Sequence, residues 1–203
     1  MKKLILSLIA MCFILSPFTA TATFEALNRG DNSVIVLHEG VEMSDFIQFM
    51  RLTSDPKIRH YKILIHTPGG NAITCISVMN RMQEMQREGV TFTTVVYGAA
   101  MSAGTYVFMM GDERIMHESS SLLFHTMQAQ TAAYAWANAD PKIRNMIEGW
   151  DNDIRKRFKK VTGMSDKSVR YWMDSGKAQP MSALTAYNVG LATKYIPHNY
   201  INN

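Results

Sequence analysis

Cysteine is almost missing from this chain. Two are present among 203 residues; Cys12 lies in an apolar leader, which leaves Cys75 alone in the remainder. One thiol closes no internal disulfide, however oxidising the compartment, and supplies no zinc cluster of the usual kind. The histidines, at positions 38, 60, 66, 117, 125 and 198, include no pair at helical ligand spacing. No metal is expected. No other cofactor is expected either, because neither G-x-G-x-x-G nor G-x-x-x-x-G-K-[ST] occurs. With 12 Gly and 6 Pro there is no collagen-like pattern, and no low-complexity tract or fixed-period repeat is visible. Charge is modest as well: 21 Lys+Arg against 17 Asp+Glu gives a formal net charge of +4. No basic stretch alternates with aromatics, so no nucleic-acid partner is expected. The dense run Arg155-Lys-Arg-Phe-Lys-Lys160 falls at the end of a predicted helix, where cations suit the exposed carbonyls, and reads as a solvated face. An acidic partner or anionic lipid head groups are the other readings of that run.

Long hydrophobic runs are missing too, beyond the first segment. Met1-Lys2-Lys3 is a basic start, Leu4 to Leu15 is almost wholly apolar, Ser16-Pro17 breaks the run, and Ala20-Thr21-Ala22 offers small residues to a signal peptidase. This layout predicts a secretory signal peptide over 1–22 and one domain over 23–203. The apolar run falls short of the ~20 residues that span a bilayer. A periplasmic or secreted protein is expected, an uncleaved inner-membrane anchor being the alternative. The 47% hydrophobic content and the length suit a single domain with a proper core.

Strands and helices alternate along the rest. Residues 23–32 read as polar and loose. Val34–His38 and Tyr61–His66 read as buried strands, and Thr91–Tyr97 as a third. Ser44 is a candidate N-cap for a helix carrying Phe46, Ile47, Met50 and Leu52. Cys75, Val78, Met79, Met82 and Met85 share one helical face, which makes Cys75 a buried structural thiol rather than a nucleophile. A helix is expected over 102–110, then short strands near 114–116 and 122–125. A long amphipathic helix is predicted over 141–160, with the stripe Ile143, Met146, Ile147, Trp150, Ile154 and Phe158. A short helix near 166–173, another over 182–190 and a strand at 193–196 complete an α/β protein.

Two strand-to-helix junctions carry residues suited to chemistry. Ile65-His-Thr-Pro-Gly-Gly70 brings consecutive glycines to a helix start, where backbone N–H groups are free. Tyr97-Gly-Ala-Ala-Met-Ser102-Ala-Gly104 places a hydroxyl among small residues beside another helix start, as acyl transfer requires. A serine needs an adjacent base to become a nucleophile, and His125, on a predicted strand, is the candidate. His117 competes with it, and a plain N-cap role competes for Ser102. Ala100 spoils a G-x-S-x-G elbow, and the order Ser, His, acid differs from that of α/β-hydrolases.

Taken together, these junctions and Leu122-Leu-Phe-His125 resemble the Clp protease proteolytic subunit family, within the crotonase-like superfold. The resemblance covers about residues 33 to 197 and includes Thr162-Gly163 and Met181-Ser-Ala-Leu-Thr-Ala-Tyr-Asn-Val-Gly-Leu191. It implies a spiral of repeated β-β-α units with a protruding handle helix, matching 141–160. It also implies a serine endopeptidase acting on peptides or unfolded proteins. Ser102 would be the nucleophile and His125 the base, with oxyanion donors at Gly70 and Ala103 and substrate contact at Gly69. The family's acid falls on Ala178 when counted back from Met181, so Asp174 is the nearest candidate, Asp166 and Asp153 are fallbacks, and a Ser–His dyad is open. Gln128-Ala-Gln-Thr131 replaces the family's Gly-rich stretch. The resemblance further implies a homo-oligomer built on the long helix, but the family's ATPase partner is not expected for an exported chain. Related signal peptide peptidases use a Ser–Lys dyad, for which Lys57, Lys62 and Lys142 would be candidates. Acyl-CoA chemistry and an inactive scaffold are the remaining alternatives.

Overall fold

The computed structural model describes residues 24–28, 30–125, 140–173 and 180–198. The predicted signal peptide, Asp174 and residues 128–131 lie outside them. Apolar alternation builds the centre: in β3 (His60–Gly70), Tyr61, Ile63, Ile65 and Thr67 point inward, while Lys62 and Leu64 are half-buried and His66 is exposed. This pattern marks a sheet with one face fully covered. β3 lies between β2 (Asp31–Val41) and β4 (Thr91–Met101), both parallel to it. β5 (Glu113–His117) and β8 (Lys194–Ile196) extend the parallel sheet, and β1 (Phe24–Asn28) closes the other edge antiparallel to β2.

That edge corrects the expectation of a loose 23–32. Phe24 pairs with Leu37 and is fully buried, meeting the ring of Phe49 edge-on at 5.2 Å. Burial of such a side chain contributes about 1.5–3 kcal/mol. Phe49 belongs to α1 (Asp45–Leu52), whose N-cap position is Ser44 as expected, although the Ser44 side chain caps nothing; the buried Asp45 carboxylate accepts the Glu42 N–H at 2.6 Å. The helix α2 (Ala72–Arg87) buries Cys75, Val78, Met79, Met82 and Met85, the face expected from their spacing.

β4 serves two leaves. Its first part, Thr93–Val96, pairs with β5, and its last, Ala99–Met101, pairs with β6 (Ser121–Leu123). Between them the register with β3 jumps from Ile65↔Val96 to Thr67↔Ala100. Two extra residues on β4 make a bulge, which bends the strand out of the first leaf. β7 (Met181–Ser182) lies antiparallel to β6 and leads into α6 (Ala183–Asn188), capped by the Ser182 hydroxyl. On β5, the buried Arg114 donates to the carbonyls of Leu191 at 2.6 Å, Gly111 at 2.8 Å and Gly190 at 3.3 Å.

The long helix α4 (Pro141–Thr162) has Asp140 as N-cap, Pro141 in its first turn and Gly163 at φ 67° as its left-handed stop. Only its C-terminal half is packed. Ile154 and Phe158 are buried, with Phe158 edge-on to Phe124 at 4.8 Å. Towards the N-terminus, Ile143, Ile147 and Trp150 are half-buried, and Met146 is 41% exposed. α5 (Asp166–Met173) turns Val169 and Met173 into the core. No helix of the described residues is long and apolar enough to cross a membrane.

Candidate active site

The bulge in β4 is held from below by His66. A Cβ on Gly98 would stand 2.6 Å from the imidazole Nδ1, and the Ala99 N–H donates to the same nitrogen at 3.3 Å. The strand then runs to Ser102, which joins β4 to α3 (Ala103–Met109) at φ 51°, ψ −122°. A non-glycine residue at positive φ is costly and persists only where its surroundings impose it. Here they do. The Ser102 N–H donates to the Leu123 carbonyl at 2.7 Å, and the Ser102 carbonyl accepts the Thr105 N–H at 3.0 Å and the Thr105 hydroxyl. Strand, sharp turn and helix form an elbow at a serine, although the sequence lacks the glycine spacing that usually signals one.

The second junction meets the first at Gly69. With φ 95°, its hypothetical Cβ would lie 2.7 Å from both Ser102 Cβ and the Met101 carbonyl, and 3.1 Å from Ala103 N. Only a residue without a side chain allows this approach. The Pro68-Gly69-Gly70 turn therefore lies directly against the serine. Gly70 follows at φ 145°, against the backbone of Val41. Ala103 opens α3, so its N–H has no partner within the helix. Ser102, Gly69, Gly70 and Ala103 are thus brought together as the two junctions suggested.

His125 arrives from the neighbouring strand. Met101 pairs with Leu123, so Phe124 stands level with Ser102 and His125 comes one residue later, beyond the end of β6. It lies two residues past the strand rather than on it, because pairing stops at Leu123. Its carbonyl accepts the Tyr106 hydroxyl at 3.3 Å. Tyr106 is buried, and burial pushes its phenol well above the ordinary range, so it stays a donor. Phe124 beside it is fixed by Phe158. Ser102 and His125 are both half-buried, so a substrate can reach them.

The competing assignments fall elsewhere. His117 stacks on Tyr97 at 4.6 Å, on the face of the sheet that carries His66. The side chains of Asp166 and Asp153 are 69% and 73% exposed and pair with Lys159 and Lys156. The Lys159 ammonium holds the Asp166 carboxyl below its usual range. Lys57 and Lys62 lie near the start of β3, the end remote from Gly70, and Lys142 lies in the first turn of α4. Cys75 is fully buried, which pushes its thiol far up and keeps it unreactive. Among the described residues no cluster of three or more His, Cys, Asp or Glu could hold a metal ion. Two contributors escaped the sequence reading. Tyr106 sits in a largely apolar helix where its hydroxyl gives no sign of a partner, and Thr67 is masked by the turn residues that follow it.

A family model described as Clp protease matches residues 29–199. The chain belongs to the Clp protease family. An ATP-dependent Clp protease proteolytic subunit from Cyanophora paradoxa is 27% identical over 100 residues, 48% of this chain and 50% of that one. The match therefore spans about half the length of that relative. The ATP-dependent Clp protease proteolytic subunit 2 of Prochlorococcus marinus (strain NATL2A) is 21% identical over 164 residues, 80% of this chain and 79% of the other. In structure, a ClpP1 mutant from Listeria monocytogenes matches with a TM-score of 0.68 at 14% identity, covering 83% of this chain and 94% of that one.

Proposed function

We propose that this Clp protease family member is a serine endopeptidase that cleaves peptides or unfolded segments. The observation that carries this reading is the strained elbow at Ser102, packed on Gly69 with the Ala103 N–H beside it. Strain of this kind is expected where a nucleophile must stand clear of its own backbone. In the proposed mechanism His125 removes the Ser102 proton as the hydroxyl attacks the scissile carbonyl, then returns it to the leaving amine. The N–H groups of Gly70 and Ala103 hold the oxyanion. Asp174, outside the described residues, is the proposed third member; without it the pair works as a dyad. The apolar leader supports export after cleavage behind Ala22, and ATP is scarce outside the cytoplasm, so the enzyme is proposed to work without an ATPase partner. The half-covered stripe on α4 supports a homo-oligomer.

A fluorophosphonate probe tests the mechanism. The purified protein should be labelled on Ser102 and nowhere else, and Ser102→Ala should be folded, unlabelled and inactive. His125→Ala should lower turnover by about three orders of magnitude or more. Labelling retained in Ser102→Ala, or turnover near wild type in His125→Ala, would sink the assignment. An unlabelled wild type would point instead to a binding protein that keeps the fold.

A further inference from the structure

Thr67 lies where three segments cross. It is 1% exposed. Its hydroxyl donates to the carbonyl of Glu39, a residue held at φ 55° where the β2–β3 register shifts between His38 and Gly40. The same oxygen accepts the Gly69 N–H at 3.1 Å. Its methyl group occupies the space that a Cβ on Gly104, in the first turn of α3, would need. A hydroxyl has one proton, so donation to Glu39 leaves a lone pair for Gly69. The two bonds therefore depend on one another.

The consequence concerns which backbone donor meets the oxyanion. Gly69 lies against Ser102 and Ala103, but its N–H is turned to Thr67 and engaged there. The donor from this turn must then come from the next peptide. We propose that Thr67 is the positioning residue of the oxyanion site, its hydroxyl drawing the Gly69 N–H aside so that the Gly70 N–H works with that of Ala103. The Thr67 side chain does not touch the reacting atoms. It acts through the turn, by fixing the peptide planes between the β2 bulge and the start of α3. This rests on the serine-peptidase reading.

Thr67→Val keeps the shape and removes the hydroxyl, so the Glu39 carbonyl loses this donor and the Gly69 N–H this acceptor. On the full chain, with a fluorogenic peptide, kcat should fall by about tenfold to a hundredfold, with KM within about twofold, because the lost interaction matters mainly in the transition state. Fluorophosphonate labelling should slow in parallel. The pH midpoint of kcat, set by the base, should stay in place. Thr67→Ser restores the hydroxyl and should recover kcat to within about threefold of wild type. Wild-type turnover in Thr67→Val, or a Thr67→Ser variant as slow as it, overturns the proposal. If circular dichroism shows that Thr67→Val does not fold, Thr67→Ala, whose vacated space admits a water, carries the same comparison. Loss of the fold in both, beside an active Thr67→Ser, would make the hydroxyl a structural group and overturn the proposal too. Wild-type protein inert to both peptide and probe would defeat the peptidase reading, and this proposal with it. A labelled wild type with unaffected variants would defeat this proposal alone.

Discussion

Gly69 lies so close to Ser102 that it cannot carry a side chain while the elbow keeps its shape. In Gly69→Ala the new methyl would have to sit 2.7 Å from Ser102 Cβ and the Met101 carbonyl, at a φ of 95° that alanine resists. The elbow would have to open. The expected result is a loss of at least about a hundredfold in probe-labelling rate, comparable to losing an oxyanion donor. Thermal unfolding should show the variant still folded, since the collision is local. Labelling at the wild-type rate would mean that the turn and the serine do not cooperate. At this scale the sequence offered small residues clustered at Ser102 and paired glycines after Pro68, each of which a plain N-cap or tight turn would explain as well. The positive φ of Ser102 was not legible, since it is imposed by three hydrogen bonds, one of them to Leu123, 21 residues on. Nor was Thr67, whose two partners come from different segments.

Among the elements, α4 allows a clean separation of backbone effects. Gly149 and Gly163 both have open space where a Cβ would go, yet they differ in conformation: one is helical, the other left-handed at φ 67°. Gly149→Ala should raise stability by about 1 kcal/mol, because glycine is the poorer helix former. Gly163→Ala should lower it by about 1 kcal/mol, because alanine is penalised in the left-handed region. Chemical denaturation of both variants checks the pair; shifts of the same sign would contradict the assigned helix end. The extent of α4 could be read from its periodicity and from Thr162-Gly163. β1 could not. Phe24-Glu-Ala-Leu-Asn28 shows no clear alternation, with Leu27 54% exposed, and becomes a strand only because the edge of β2 is there to receive it. The two-leaf course of β4 was equally hidden. Its β-branched and aromatic residues mark a strand, while the bend comes from two residues of register that only neighbouring strands reveal.

For the whole molecule, the uneven burial of α4 is the informative feature. Ile154 and Phe158 hold the helix to its own core, whereas Met146 is 41% exposed and Trp150 half-buried. In the proposed homo-oligomer, a partner subunit would cover this half of the stripe. Trp150→Asp is therefore expected to convert an oligomer into a monomer of about 20 kDa by light scattering, since large aromatics dominate interface energetics. Activity should fall with it. An unchanged particle mass would show that the stripe is covered in some other way. Export is tested separately: the amino terminus of the exported protein should be Thr23, and a start at Met1 would favour the anchored alternative.

Arg114 also sets a condition on when the molecule can work. Its three acceptors include the carbonyls of Gly190 and Leu191, and β6, which leads to His125, has Met181–Ser182 as its outer neighbour. The chain leaves the ribosome from its amino end, so Ser102 and His125 emerge long before the residues that brace them. A nascent chain halted anywhere before residue 181 would carry both reacting side chains without the frame that aligns them. Long-range closure of this kind comes late in folding. On the peptidase reading, synthesis would then act as a timer, with hydrolytic competence arriving only once residues 181–191 have emerged.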